Sequence, residues 1–451
     1  MRFYGRSREM KVLSEPGSPF FIVLWGRRRI GKTSLALKAF EDPLYFFVGR
    51  KSSSLLLEEF TEVVRKDHNY IPTFKDWEEF FVYLTNEYSG TVIIDEFQNF
   101  QFSDPSVFST LQKIVDRASS YRLVVVGSYV GMMKKIFMDS REPLFGRATG
   151  NMRVGPLPFP VVWRILEELG IRDIREKISI YSVFGGVPYH YALMEKHRAT
   201  SYIKCIEKLV FSPLAPLRSE VKNVLIEEFG RNYTTYFSIL QAVAGGSTTL
   251  SGISNSTGIL IQSLGKYLQE LMEVYDILER IVPIDESRRG VYHIKDPFTR
   301  FWFRYVESHL SDMELGRYEY PLKIALEGQP MISSWEFENL IRDLLHPSFN
   351  KVGKWWNRKG EEIDVVAVND NDGIVLFAEV KWTNRKAGKK ELSSLISRSE
   401  MVSMKKDYRR EYLMVSRSGF KDLEAEDGIT LWDLEDVNSR VKEIIEGHGS
   451  P

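Results

Sequence analysis

The stretch Gly26-Arg27-Arg28-Arg29-Ile30-Gly31-Lys32-Thr33 constrains this chain more than any other. It has the spacing G-x-x-x-x-G-K-[ST]. It follows an unbroken apolar run, Phe20 to Trp25, and precedes helical spacing over roughly residues 32 to 40. Consecutive apolar residues of that length read as a strand buried on both faces. A strand, a glycine-containing loop and a helix in that order aim backbone N–H groups and the positive helix end at one point. Phosphate oxygens bind there. Lys32 then reaches the β- and γ-phosphates, and the Thr33 hydroxyl holds Mg²⁺. The expected cofactors are therefore ATP and Mg²⁺, with Ser34 added to the loop residues as a nucleotide contact.

Thr91-Val92-Ile93-Ile94-Asp95-Glu96 supplies a second strand with an acidic pair at its end. Asp95 is the candidate Mg²⁺ holder. Glu96 is the candidate base that orients and deprotonates the attacking water. The strand beginning at Arg122 ends on Gly127-Ser128, where Ser128 either senses the γ-phosphate or merely closes a turn. That strand, whose apolar centre is 123–126, and a further strand at 44–48 alternate with helical segments at 55–65, 76–88 and 106–118. That alternation predicts an α/β fold with a parallel sheet flanked by helices.

A length of 451 residues exceeds one ordinary core and implies several domains. Lys plus Arg equals Asp plus Glu at 61 each, so only local basic clusters can argue for a polyanionic partner. The single cysteine, Cys205, excludes an intrachain disulfide, and the scattered histidines give no zinc spacing. No apolar stretch is long enough to span a membrane, and the N-terminus shows no signal region, so a cytoplasmic location is expected.

The patterning divides the chain into an ATPase core at 1–158, a helical lid at 159–230, a winged helix at 231–310, a linker at 311–330 and a separate α/β unit at 331–451. In the winged helix, Thr249 to Gly258 and Ile259 to Tyr275 have helix–turn–helix spacing. Ile261, Leu264, Leu268 and Leu271 are expected to face the core, with Gln262, Ser263, Lys266 and Gln269 outward. Arg288 and Arg289 mark the wing tip, open to phosphate contact or to a packing role.

Several motifs together resemble the archaeal ATPases on the STAND side of the AAA+ superfamily. They are Tyr4-Gly5-Arg6 with Arg8-Glu9, the arginine-rich loop, Ile94-Asp95-Glu96-Phe97-Gln98, Gly127-Ser128, Leu144 to Thr149, Gly185-Gly186-Val187-Pro188-Tyr189 and Asp296 to Trp302. The resemblance covers about residues 1 to 310. It implies that Gly5 and Arg6 lie by the nucleotide and that Arg147 is a candidate phosphate-sensing arginine, with cis or trans action open.

The end of the chain carries a second constellation. Asp364 opens one strand, and Glu379 and Lys381 share a face on the next. Two carboxylates plus the Val380 carbonyl make an oxygen cage suited to Mg²⁺ or Mn²⁺, and Lys381 can position or activate a water. Glu338, on an amphipathic helix upstream, could complete the site. The arrangement resembles the PD-(D/E)xK, or restriction-endonuclease-like, superfamily over about residues 330 to 440, with Ile363-Asp364 in place of the family's Pro-Asp. Lys351, Lys354, Arg358, Lys359, Arg385, Lys386, Lys389 and Lys390 lie around it, mixed with Trp355, Trp356 and Trp382. Basic residues interleaved with aromatics suit a nucleic-acid strand, so DNA is the expected partner beside ATP. Self-association stays open. Two readings remain: an ATP-regulated, metal-dependent nuclease, or a regulatory ATPase whose end domain binds DNA or protein without cleaving.

Overall fold

The structure, a computed structural model, describes every residue except 1, 15–16, 18, 68–72, 231–232, 286–288, 406 and 448–451. The N-terminal sheet contains β1 (Phe20–Trp25), β2 (Leu44–Phe47), β3 (Val92–Asp95), β4 (Arg122–Gly127) and β5 (Gly150–Arg153). All its pairs are parallel, in the order β2-β3-β4-β1-β5. β1 and β3 are buried along their whole length. Phe21, Val23, Ile94 and Val125 pack on one face, and Ile22, Leu24, Ile93 and Val124 on the other. This is what a sheet covered by helices on both faces requires. β5 was not foreseen, because Gly-Asn-Met-Arg is half-exposed edge strand with no apolar run.

From Phe159 to Phe229 the chain is mainly helical, as its periodicity predicts. The Gly185-Gly186 break exists because the backbone crosses that of Leu157. Gly185 has φ +56°, and a Cβ on Gly186 would lie 2.0 Å from the Leu157 carbonyl oxygen. Helices Tyr233–Ala244, Leu250–Thr257 and Ile261–Gln269 are followed by the antiparallel strands β6 (Leu278–Ile281) and β7 (Val291–Ile294), the expected winged-helix order. Leu264, Leu268 and Leu271 are buried. Ile261 corrects the expectation: as first residue of its helix it is 48% exposed, beside the 71% exposed Leu260.

The expected linker at 311–330 is also corrected. Leu310–Glu314 and Glu319–Glu327 are helical, with Met313 and Ala325 buried. One apolar cluster runs from Leu157 to Ile332, so lid, winged helix and these helices share a core.

The C-terminal sheet contains β8 (Lys351–Trp356), β9 (Glu362–Asn369), β10 (Ile374–Lys381), β11 (Arg409–Ser416) and β12 (Ile429–Trp432), side by side in that order. β8, β9 and β10 are antiparallel, whereas β10, β11 and β12 are parallel. Helices Gln329–Leu345, Lys389–Ser399 and Leu434–Gly447 cover it. β8, Lys-Val-Gly-Lys-Trp-Trp, has no alternating apolar signal of a strand, and it is the wing that pairs with its edge. Ile284 N–H donates to the Lys354 carbonyl at 2.8 Å, Lys351 Nζ to the Ile284 carbonyl at 2.7 Å, and Trp355 Nε1 to Asp285 at 2.7 Å. The wing thus extends the edge of the C-terminal sheet. No helix among the described residues is long and apolar enough to cross a membrane.

Candidate functional sites

The parallel register brings three strand ends to one edge. Trp25, the residue before the loop, pairs with Gly127, and Asp95 ends β3 beside them. Gly26 and Gly31 have φ +155° and +91°, and a Cβ on Gly26 would lie 2.3 Å from the Val154 carbonyl oxygen. Lys32 is 6% exposed and donates to the Arg27 carbonyl at 2.9 Å. Burial pushes its pKa down to about 8, although Glu96 and Asp95 pull the other way. Thr33 Oγ1 donates to Asp95 Oδ2 at 2.7 Å, and the Tyr45 hydroxyl to the same oxygen at 2.9 Å. Hydroxyl and carboxylate therefore meet where a Mg²⁺ held by both would sit, and this donor set fits the ion.

Glu96 has left-handed backbone, φ +54°. Ser128 Oγ donates to both its carboxylate oxygens, at 2.8 and 2.7 Å, and Gln98 Nε2 donates to one. A strained non-glycine backbone held by side-chain hydrogen bonds is the arrangement that functional sites retain. Ser128 thus acts on Glu96 directly, a role its sequence context did not suggest.

The other expected nucleotide contacts are placed differently. Arg6 is 6% exposed and braces the back of the loop, donating to the Ile30 and Gly155 carbonyls at 3.1 and 2.7 Å. Gly5 packs against Val161, where a Cβ would come within 2.5 Å. The three loop arginines point to the lid and winged helix. Arg27 pairs with Asp296 at 2.5 Å and donates to Thr299 at 3.0 Å. Arg28 pairs with Glu227 at 2.6 Å, and Arg29 pairs with Glu220 while lying 4.1 Å over the Tyr189 ring. Ser34 is exposed on the following helix. Arg147 pairs with Asp116 at 3.2 Å and donates to the Phe145 carbonyl at 2.8 Å, which holds its guanidinium in its own loop. A cavity of about 350 Å³ adjoins the loop, lined by Arg27, Ile30 and Gly155 and by lid and winged-helix residues that include Glu228. Burial pushes the Glu228 carboxyl up to about 7.

In the C-terminal sheet the antiparallel register pairs Ala378 with Val365, so one step further sets Glu379 opposite Asp364. The Val380 N–H donates to Asp364 Oδ2 at 2.8 Å. Burial, Glu338 and Glu379 push the Asp364 carboxyl up to about 7, against the opposing charge of Lys381. Lys381 Nζ lies 2.5 Å from Glu379, and Arg398 adds a second ion pair to Glu379 at 2.8 Å. Glu338 is taken up by Lys354. The three carboxylates are neighbours, but they do not close into a three-carboxylate metal cage: among the described residues no such group does. The correction has a physical cause, since cations satisfy Glu379 and Glu338. Both Glu379 oxygens are engaged, Oε1 by Lys381 and Oε2 by Arg398, so a hard divalent ion held here by Asp364 and Glu379 would have to displace one of those cations.

Trp355 and Trp382 are each 3% exposed, so they are core rather than stacking platforms for bases. Lys351 and Lys354 are already engaged, whereas Arg358, Lys359, Arg385, Lys386, Lys389 and Lys390 are exposed around this end of the sheet. Arg289 is half-buried, and Arg288 lies outside the described residues. Arg398, Gln98 and Asp296 were missed as site residues. Arg398 and Asp296 reach partners distant in sequence, whereas Gln98 reaches Glu96 two residues away, because the left-handed backbone at Glu96 turns the chain back.

Residues 18–162 match the family model described as an AAA domain, and residues 302–392 match one described as archaeal and bacterial proteins of unknown function. A Walker-type ATPase of Pyrococcus abyssi superposes with a TM-score of 0.54 at 19% identity, over 67% of this chain and 96% of that one, a likeness of fold. An uncharacterized protein of Methanocaldococcus jannaschii is 35% identical over 460 residues, spanning 97% of this chain and 100% of its own length. The chain therefore belongs to the family of that archaeal protein, and its N-terminal part is an AAA-type P-loop ATPase domain.

Proposed function

We propose that this chain is an ATP-hydrolysing switch coupled to a DNA-binding, Mg²⁺- or Mn²⁺-dependent nuclease centre. For the ATPase, the supporting observation is the convergence of Lys32, Thr33, Asp95 and a Glu96 held by Ser128. Lys32 and the loop N–H groups bind the β- and γ-phosphates. Mg²⁺, held by Thr33 and Asp95, supplies charge neutralisation to the phosphates when bound. Glu96 takes a proton from the water that attacks the γ-phosphorus, and ADP leaves with the bridging oxygen. Gln98 and Ser128 fix which way that carboxylate faces.

For the nuclease, the supporting observation is Asp364 opposite Glu379 on antiparallel strands, with Lys381 on the Glu379 face. The order of helix, three antiparallel strands, helix and parallel strands supports a restriction-endonuclease-like fold. The divalent ion supplies Lewis acidity when bound. Lys381 orients the attacking water, and the exposed basic rim holds the strand's phosphates. The runner-up, a regulatory ATPase that binds without cutting, draws support from Lys354 and Arg398, which satisfy carboxylates a metal would otherwise take.

Incubation with branched, single-stranded and duplex DNA, in Mg²⁺ or Mn²⁺, with and without ATP, tests the reading. The expected result is cleavage that Lys381→Ala removes. DNA binding with no cleavage under any of these conditions selects the regulatory reading instead.

A further inference from the structure

Arg172 and Arg175, at the corner leading into the Ile174–Phe184 helix, face Arg417 at the end of β11 across a cleft of about 460 Å³ between lid and C-terminal sheet. The P-loop arginines each have a carboxylate partner. These three have none among the described residues. The cleft does hold acidic residues, but they are spent locally. Asp173 accepts the Arg175 N–H at 2.7 Å, and Asp433 accepts the N–H groups of Glu435 and Asp436 at 2.8 and 3.1 Å. Glu435 is exposed at the rim.

Arg417 is held in place. Its guanidinium lies 4.9 Å from the Trp382 ring centre, and its backbone N–H donates to the Lys381 carbonyl at 2.9 Å. Burial and the charge of Arg175 hold its pKa below the usual arginine range. Asp173 offsets part of this repulsion but forms no ion pair with any of the three, so their guanidinium donors stay open to an anion, and guanidinium forks match phosphate oxygens bidentately.

We infer that this cleft is a phosphate-group site, built jointly by lid and C-terminal sheet and distinct from the Asp364 centre. Trp382, just past β10, lies under Arg417 and packs in one apolar cluster with Ile174 and Ile178, so the cleft lies on the lid side of the strand end that carries Lys381. A nucleic-acid strand passing over that end can leave one phosphate in the cleft, and free phosphate offers the same chemistry. Only the strand as a source rests on the proposed function. The phosphate chemistry does not.

The test uses the full chain with ADP saturating the P-loop. Arg175→Gln, the pair Arg175→Gln with Arg417→Gln, and Arg440→Gln are compared. Arg440 stacks on Trp432 outside the cleft lining and serves as control. Probes are a labelled single-stranded oligonucleotide by anisotropy and inorganic phosphate by calorimetry. The double variant should weaken oligonucleotide binding at least about fivefold and lower the salt slope by about 1 to 2 charges. Arg175→Gln alone, which removes an exposed side chain without a partner, should show part of that loss at unchanged melting temperature. The control should match wild type. Loss of phosphate binding with unchanged oligonucleotide binding supports the site with free phosphate as its source. Unchanged affinity for both probes in the folded Arg175→Gln and double variants overturns the inference. Lys381→Ala separates the two proposals, because it should remove cleavage and leave the arginine-dependent binding intact.

Discussion

Arg27 Nη1 and Asp296 Oδ1 lie 2.5 Å apart and join the phosphate loop to the segment that follows the wing. Burial works against both charges, and the pairing more than offsets it: Asp296 raises the Arg27 pKa, and Arg27 holds the Asp296 carboxyl below its usual range. Arg27 is therefore a strut between two parts of the chain, and its reading as a phosphate ligand is the rival to be tested.

Removing one partner of such a pair strands the other charge, which costs roughly 3–5 kcal/mol. Arg27→Ala and Asp296→Asn should each lower thermal stability by a comparable amount, and the double variant should be little worse than either. A strut therefore predicts an interaction energy from that cycle of about 3–5 kcal/mol, as large as the cost of either single change. Additive losses, with ATP affinity falling only in Arg27→Ala, would return Arg27 to the list of phosphate ligands.

Lys32 carries a pH signature. Its pKa of about 8 means that the free protein loses this charge as pH rises above 8. ATP requires the charged form, so binding above that pH takes up a proton and affinity should fall, by at most about tenfold per pH unit. Below pH 7 the affinity should be flat in this respect. Lys32→Ala should bind ATP at least about 100-fold more weakly and lose the pH dependence, whereas Glu96→Gln should keep binding and slow hydrolysis by roughly 10²-fold or more. Isothermal titration from pH 6.5 to 9.5 reads the first effect. Wild-type turnover in Glu96→Gln would remove Glu96 from the mechanism.

The ATP site was legible because its parts are local in sequence: a strand, a glycine loop and an acidic strand end each announce themselves within eight residues. The Asp364–Glu379–Lys381 cluster was legible for a related reason, since a hairpin pairs strands through a short turn. What stayed hidden depends on contacts across the chain. Nothing near Glu96 in sequence announces Ser128 as its partner, nothing near Glu379 announces Arg398, and the helical packing of 310–327 follows from a core shared with distant residues. Ile261 misled because periodicity assigns a face without knowing where a helix begins, and at the first turn that face has no neighbour.

Glu228 predicts a pH-dependent stability. The folded protein holds its carboxyl at about 7 against an ordinary value of 4.5, chiefly through burial, with the Val130 N–H accepted at 3.0 Å as partial compensation. Folding thus favours the neutral form. The cost is absent below about pH 4.5, grows as pH rises, and is complete above 7. Glu228→Gln keeps an acceptor for Val130 and removes the charge. It should match wild type in thermal stability near pH 4.5 and exceed it at pH 8 by roughly 1–2 kcal/mol, a figure reduced for the partial exposure of the side chain. Equal melting temperatures at both pH values would show that the cavity solvates this carboxylate.

The Asp364 centre separates binding from cutting. Lys381→Ala leaves Asp364 and Glu379 in place and removes the cation beside them, so DNA affinity should change less than about threefold while cleavage falls at least about 100-fold. Asp364→Asn removes the charge of a proposed metal ligand while keeping an acceptor for the Val380 N–H, so it should lose metal-dependent protection against thermal unfolding as well as cleavage. ATP hydrolysis without DNA should be unaffected in both, because Asp364 and Lys381 lie on a different sheet from the one that carries the phosphate loop. Cleavage that persists in both variants would place the chemistry at another site. Metal protection that survives Asp364→Asn would remove Asp364 from the ligand set even if cleavage is lost, since protonation or strand distortion could abolish activity without touching the ion.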